Sequence, residues 1–430
     1  MRTRWLVSLA SSVLALAACT GHPAERAAPP PEALPELRDV VVLDTVHGTD
    51  VVDTSSGAVL AADAGEVAAP DGSRLYATRP IGDATILRTR DSVTGEVVAR
   101  TALDGAMEIR VASVSGHAVA LMRPLARSEG TSTELAMPRA RTTIVVAEPA
   151  GADAPRRYVL DGNYEPEAFS IDDRRLFLIQ YLPAEAPTAY RVTFLDLRRS
   201  KVFEVFGRFK TPPERMPGVR LEQLYDAASQ QLYTLYTNRV GETYGGAWDG
   251  YGSSTADADE VSFVHVLNLR DGWAYCAGLP RALWGRPEGE QALATAPDGR
   301  SLYVVDPMRS LIVEMNTRTL EVVRRARVDL GTLGDGIVSA QIGSDGRTLF
   351  VGADRRGAPI VAIDLGTLRV AARWTMPSGV AGFGISEDGA RLYAALVDQV
   401  RVVDPVSGHE LAELRAPGVD SILHVATPAA

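Results

Sequence analysis

The sequence predicts an all-β chain folded as a β-propeller of four-stranded blades. Three observations carry that prediction. Two kinds of turn signal alternate along the chain from about Asp39 onward. The first kind recurs at intervals that fit one four-stranded unit. Helical periodicity is missing from every long window.

The chain has 430 residues, 46% of them hydrophobic and 23% charged, which places it among globular proteins rather than disordered or collagen-like ones. Its net charge is -10, so no basic footprint marks a nucleic-acid partner. Lys201 and Lys210 are the only lysines, a bias of coding rather than of chemistry. Two cysteines exclude a disulfide scaffold and a thiolate-rich zinc site.

The N-terminus has a basic end, Arg2 and Arg4, then an uncharged stretch from Trp5 to Ala18 that is too short for an ordinary membrane span. Leu16-Ala17-Ala18-Cys19 resembles the lipobox of bacterial lipoproteins. The resemblance implies that residues 1–18 are removed, that the Cys19 thiol carries a diacylglycerol, and that the chain is held at the extracytoplasmic face of the cell membrane, with palmitate-type acylation of the new amine. Each buried CH₂ of such chains contributes about 0.8 kcal/mol. Processing takes the net charge to -12 and leaves Cys276 the only unmodified cysteine. Residues 19–38 then form a lipidated tether rich in proline and alanine. In polyproline geometry its 17 residues from Thr20 to Glu36 reach up to ~50 Å. Residues 39–430 form the propeller domain.

The first turn signal is Asp-Gly, a polar residue or two, then Leu-Tyr or Leu-Phe. It occurs at Asp71, Asp298, Asp345 and Asp388, with weaker copies at Asp172 and Ala228 and a degenerate one at Ser115. Asp-Gly suits a tight hairpin turn, and the Leu-aromatic pair opens a buried strand. The second signal is Asp or Asn followed by Ser, Thr or Gly, as at Asp53, Asp91, Asn268, Asn316, Asp364 and Asp404. Its side chain bonds backbone two residues on. Successive first signals lie 44, 57, 56, 70, 47 and 43 residues apart, room for four short strands each. Seven complete units fill about 66–414. Three strand-like pieces remain in front (Val40–Leu43, Asp50–Val52, Val59–Ala62) and one behind (Ser421–Val425). Together they predict an eighth blade closed by both chain ends, with seven blades as the alternative. Closure removes open sheet edges.

Leu302-Tyr303-Val304-Val305-Asp306, after Pro297-Asp298-Gly299-Arg300, resembles the YVTN-type and WD-like bacterial propellers over roughly residues 40–428. Trp248-Asp249 is the only Trp-Asp pair and falls in a loop, so WD-type partner binding is not carried over.

The longest insertion, Thr237–Glu260, holds Tyr244, Trp248, Asp249 and Tyr251 among glycines, a composition suited to ligand or partner contact and equally to a plain surface loop. Asp257, Asp259 and Glu260 lack the spacing of a calcium loop. Arg127, Arg139 and Arg141 fall in a second long loop, suited to facing anionic groups but expected to be solvated. No His-x-His or His-x-x-x-His pair exists, so no metal site and no cofactor is expected. His265 and Cys276 read as packed strand residues. Nucleophile elbows, Walker loops and dinucleotide fingerprints are all missing, so no catalytic residue is named.

Two functions fit. The leading one is a membrane-anchored platform that binds or assembles a protein or cell-envelope ligand. The other is a propeller enzyme with a metal or polar cluster at the channel mouth, as the resemblance to lactonase-like and quinoprotein amine dehydrogenase-like propellers implies.

Overall fold

The structure, a computed structural model, describes residues 37–124, 138–151, 153–210, 216, 219–238, 261–284, 289–334 and 336–428. Cys19, Arg127, Tyr244, Trp248, Asp249, Tyr251, Asp257, Asp259 and Glu260 lie outside them.

Eight four-stranded antiparallel sheets form the propeller. Seven blades are continuous in sequence: residues 67–104, 108–161, 163–204, 219–278, 292–327, 338–374 and 380–415, here blades 2 to 8. Blade 1 is composite. Its sheet order is Ala58–Asp63, Gly48–Asp53, Val40–Thr45, then Val419–Ala426. The C-terminus thus supplies the inner strand and the N-terminus the other three, which settles the count at eight. Inner strands of neighbouring blades lie against each other, as Asn163–Phe169 does against Glu108–Ala112.

Both turn signals work as local chemistry predicts. Asp298 Oδ1 accepts from the Arg300 N–H at 3.0 Å, and Asp345 Oδ1 from Arg347 at 2.9 Å, in turns joining the first and second strands of their blades. Asp404 Oδ1 accepts from Val406 at 2.9 Å, and Asn316 Oδ1 from Arg318 at 2.9 Å, in turns joining the third and fourth strands.

The Leu-aromatic pair explains why the blades stack. Adjacent strand residues point to opposite sheet faces. Leu302 therefore packs into the cluster shared with blade 5, and Tyr303 into the one shared with blade 7. Leu75 and Tyr76, Leu176 and Phe177, Leu349 and Phe350, and Leu392 and Tyr393 divide in the same way. Eight buried clusters result, one at each blade junction. Neither face of a blade could be buried by that blade alone.

One junction is tight enough to test. Gly408 has φ +71°, and a Cβ there would meet the Trp374 indole of the preceding blade at 2.3 Å. Gly408→Ala combines a left-handed backbone with overlap, so a loss exceeding about 1 kcal/mol is expected, read from the urea unfolding midpoint.

Candidate functional site at the channel mouth

Propeller topology sorts the connections between the two ends of the ring. Links between the first and second strands, and between the third and fourth, leave from one end and are short turns. Links between the second and third strands, and from one blade to the next, leave from the other end. All connections that carry residues 125–137, 211–218, 239–260 and 285–288 depart from this second end. Tyr244, Trp248, Asp249 and Tyr251 lie outside the described residues, between the strands Gln231–Asn238 and Val261–Asn268 in sequence.

Charged side chains gather near the long-loop end on the inner strands of blades 3, 4 and 5. Two of them stand at β-bulges, where an extra residue re-aims a side chain. Arg110 is unpaired between Ile109 and Val111, and Glu167 between Pro166 and Ala168. Arg110 Nε lies 3.2 Å from Glu165 Oε1 across the blade 3–4 junction, and its Nη2 is 3.4 Å from Glu108. Arg139 Nη2 lies 3.1 Å from Glu165 Oε2, while its Nε donates to Asn163 Oδ1 at 2.9 Å. Arg220 Nη1 lies 3.6 Å from Glu167 Oε2, and Gln223 Nε2 donates to Glu167 Oε1 at 2.6 Å. Arg139 Nη1 is buried with no hydrogen-bond partner among the described residues.

Sequence reasoning placed Arg139 in a solvated loop. The structure corrects that: its guanidinium is mostly buried, and an inner-strand carboxylate holds it. Arg141 does remain exposed, paired with Asp161 at the start of a strand. The carboxylates were missed. Glu165 and Glu167 alternate with apolar residues in an ordinary strand pattern, and only the bulge turns Glu167 toward Arg220.

Two carboxyls here are unusual. Burial raises the Glu167 carboxyl, opposed by Arg220 and Gln223. Burial pushes Glu222 up to about 8, opposed by the Leu293 N–H, which donates to Glu222 Oε2 at 2.7 Å. Glu222 therefore changes charge near neutrality while spanning the inner strands of blades 5 and 6. The cluster can grip a ligand with charged or hydrogen-bonding groups and can exchange a proton with it.

His265 and Cys276 are cross-strand partners in blade 5, both buried as their apolar strand setting predicts. Burial pulls His265 down to about 4, and its ring stands edge-on to Tyr236. At the opposite end of the ring, Ser115 donates to Asp173 at 2.9 Å with His117 Nδ1 4.0 Å from the same oxygen. Serine and histidine both address the carboxylate there, so this is no nucleophile–base relay. Among the described residues no group of three His, Cys, Asp or Glu could hold a metal ion, and no helix is long and apolar enough to cross a membrane.

No protein-family model matches the chain, and no curated protein matches it in sequence. Solved structures do match in shape. Apo AztD from Citrobacter koseri has a TM-score of 0.52 at 10% identity, over 90% of this chain and 97% of that one. The dihydro-heme d1 dehydrogenase NirN in complex with DHE has a TM-score of 0.53 at 15% identity, over 92% of this chain and 76% of that one. A eukaryotic initiation factor gives 0.51 at 11% identity, over 90% and 97%. Likeness at these identities establishes the propeller fold and nothing finer.

Proposed function

We propose that this propeller is a lipid-anchored binding or assembly platform at the extracytoplasmic face of the cell membrane, and that its long-loop end receives a protein or cell-envelope ligand. The asymmetry between the two ends carries the reading. Val46, Ile81, Phe206, Phe209, Met308, Ile337 and Val397 are exposed large apolar side chains on or beside connections of the long-loop end. On the turns of the opposite end only Val406 is of this kind among the described residues. Exposed apolar groups concentrated on one face are a mark of docking surfaces. The first strand of the propeller begins with Val40 at the opposite end.

A photo-crosslinking amino acid placed in cells at Phe209 or Val397 should give a discrete adduct, and at Val406 or Ser55 none. Equal adducts from both ends, or none from either, would overturn the platform. The anchor has its own arm: mass spectrometry should find acyl chains on Cys19, and Cys19→Ser should release the protein from membranes.

The channel cluster favours a second reading, an enzyme with its site among Glu167, Glu222 and Arg139. Turnover that survives purification and collapses in Glu167→Gln would support it. Solved neighbours named as a dehydrogenase and as an initiation factor fit either role, since one architecture hosts both.

A further inference from the structure

A groove of about 790 Å³ opens at the long-loop end between blades 5 and 6, built from different elements than the channel cluster. Pro280 and Ala282 from the connection between those blades, Met308 and Arg309 from a loop of blade 6, and Arg325 and Arg327 from its outer strand line it. Its size lies within the range of small-ligand sites, roughly 300–1,000 Å³.

Charge makes this groove unusual. Among the described residues three guanidinium groups line it and no carboxylate does, in a chain with an excess of acid. The other large cavity, at the opposite end, sets Arg156, Arg174 and Arg198 among Glu148, Asp172 and Asp173 and is balanced. Arg309 is held in place: Nη1 donates to Trp284 O at 2.9 Å and lies 3.8 Å from Asp306. Among the described residues the Arg325 and Arg327 side chains have no ion pair or hydrogen bond. They stand opposite Val313 and Leu311, so both side chains share the sheet face toward blade 5. Arg324, on the other face, shows what a committed arginine does here: it pairs with Glu314 and donates to Leu365 O at 2.6 Å. Two unneutralised cations at alternate strand positions, about 7 Å apart, repel each other until an anion arrives.

We propose that the groove binds a ligand carrying two oxyanionic groups, carboxylate or phosphate, about 7 Å apart, with an apolar portion between them. Arg325 and Arg327 would each take one anionic end in charge-assisted hydrogen bonds, with Arg309 as a fixed third donor. Met308, about half exposed, and Ala282 would cover the apolar portion. Arg309, Arg325 and Arg327 play no part in the platform reading, so this site is tested apart from it; Met308 alone is shared with the apolar face.

The full chain, labelled with ¹⁵N-arginine and held in detergent micelles, provides the test. Adipate, a six-carbon dicarboxylate, and inorganic tripolyphosphate are titrated at low salt, with hexanoate as the single-charge control. The Nε–H signals of Arg325 and Arg327, assigned from Arg325→Gln and Arg327→Gln, should shift saturably with at least one dianion. That dianion should bind at least tenfold more tightly than hexanoate. Response to adipate alone identifies a carboxylate site, and to tripolyphosphate alone a phosphate site. The double glutamine variant, followed through the Arg309 Nε–H signal, should lose at least tenfold in affinity with an unchanged melting curve. If that variant unfolds early, Arg325→Lys with Arg327→Lys, which keeps the charges, should retain most of the affinity. No saturable shift with either dianion, equal binding of hexanoate, or equal binding by a folded double variant would overturn the proposal.

Discussion

Arg391→Ala should destabilise the propeller by about 3–5 kcal/mol, because it strands a buried carboxylate. Asp39 is fully buried and Arg391 nearly so. Arg391 Nε donates to Asp39 Oδ2 at 2.6 Å and Nη2 to Oδ1 at 3.2 Å. The Tyr393 hydroxyl donates to Asp39 Oδ2 at 2.5 Å, and Thr427 Oγ1 to Oδ1 at 2.6 Å. One carboxylate thus joins the start of the N-terminal strand, the last continuous blade and the residue just after the C-terminal strand. These are the three parts that closing the ring must bring together. Without Arg391, Asp39 keeps two hydroxyl donors but loses its countercharge in a site closed to water. Asp39→Ala should cost a similar amount, since it leaves a buried guanidinium and a tyrosine hydroxyl without their acceptor. The double variant should cost clearly less than the two single losses together, because each single change already breaks the shared network. Unfolding in urea measures all three, and amide exchange along Val419–Ala426 should accelerate most. Arg141→Ala breaks an exposed pair with Asp161 and should leave the midpoint nearly unchanged. If Arg391→Ala were equally silent, closure would rest on strand pairing and apolar packing alone.

The sequence made the ring legible and left its chemistry hidden, for one physical reason. Blade formation depends on local signals: an Asx turn is complete within three or four residues, and the Leu-aromatic pair declares both buried faces at once. Even the composite blade could be read, because Pro417-Gly418-Val419 repeats the Ser378-Gly379-Val380 lead-in to an inner strand and the front pieces number three. The channel cluster obeys no such spacing. Arg110, Arg139, Glu165, Glu167 and Arg220 come from three consecutive blades and meet only once those blades pack together. Asp39 and Arg391 are 352 positions apart, so nothing in either neighbourhood announces the pair. Arg325 and Arg327 look like the charged protection that edge strands commonly carry. Only the groove above them, and the lack of any acid in it, sets them apart.

Glu222→Gln should make the protein more stable at neutral and mildly alkaline pH, by up to about 4 kcal/mol near pH 8. The sign follows from the direction of the shift. Burial raises the folded-state value from the ordinary 4.5 to about 8. Between those two values the folded state holds a proton that the unfolded chain releases. Stability contributed by protonated Glu222 is therefore complete below about pH 4.5 and is lost progressively up to about pH 8. Glutamine cannot ionise, and its carbonyl can still accept the Leu293 N–H that bridges to blade 6. The stability difference between variant and wild type should be small at pH 4 and should widen across that window, whatever the other groups in the chain do. Urea midpoints at half-unit pH steps would show it, and a difference that stayed flat from pH 4 to 8 would mean that the carboxyl is well solvated. The same titration bears on the channel. As pH rises through about 8, wild-type Glu222 adds a negative charge to a wall whose nearby arginines already have carboxylate partners. A ligand held there should bind with a pH dependence that Glu222→Gln removes, whereas a ligand seated on Arg325 and Arg327 should not respond to the change.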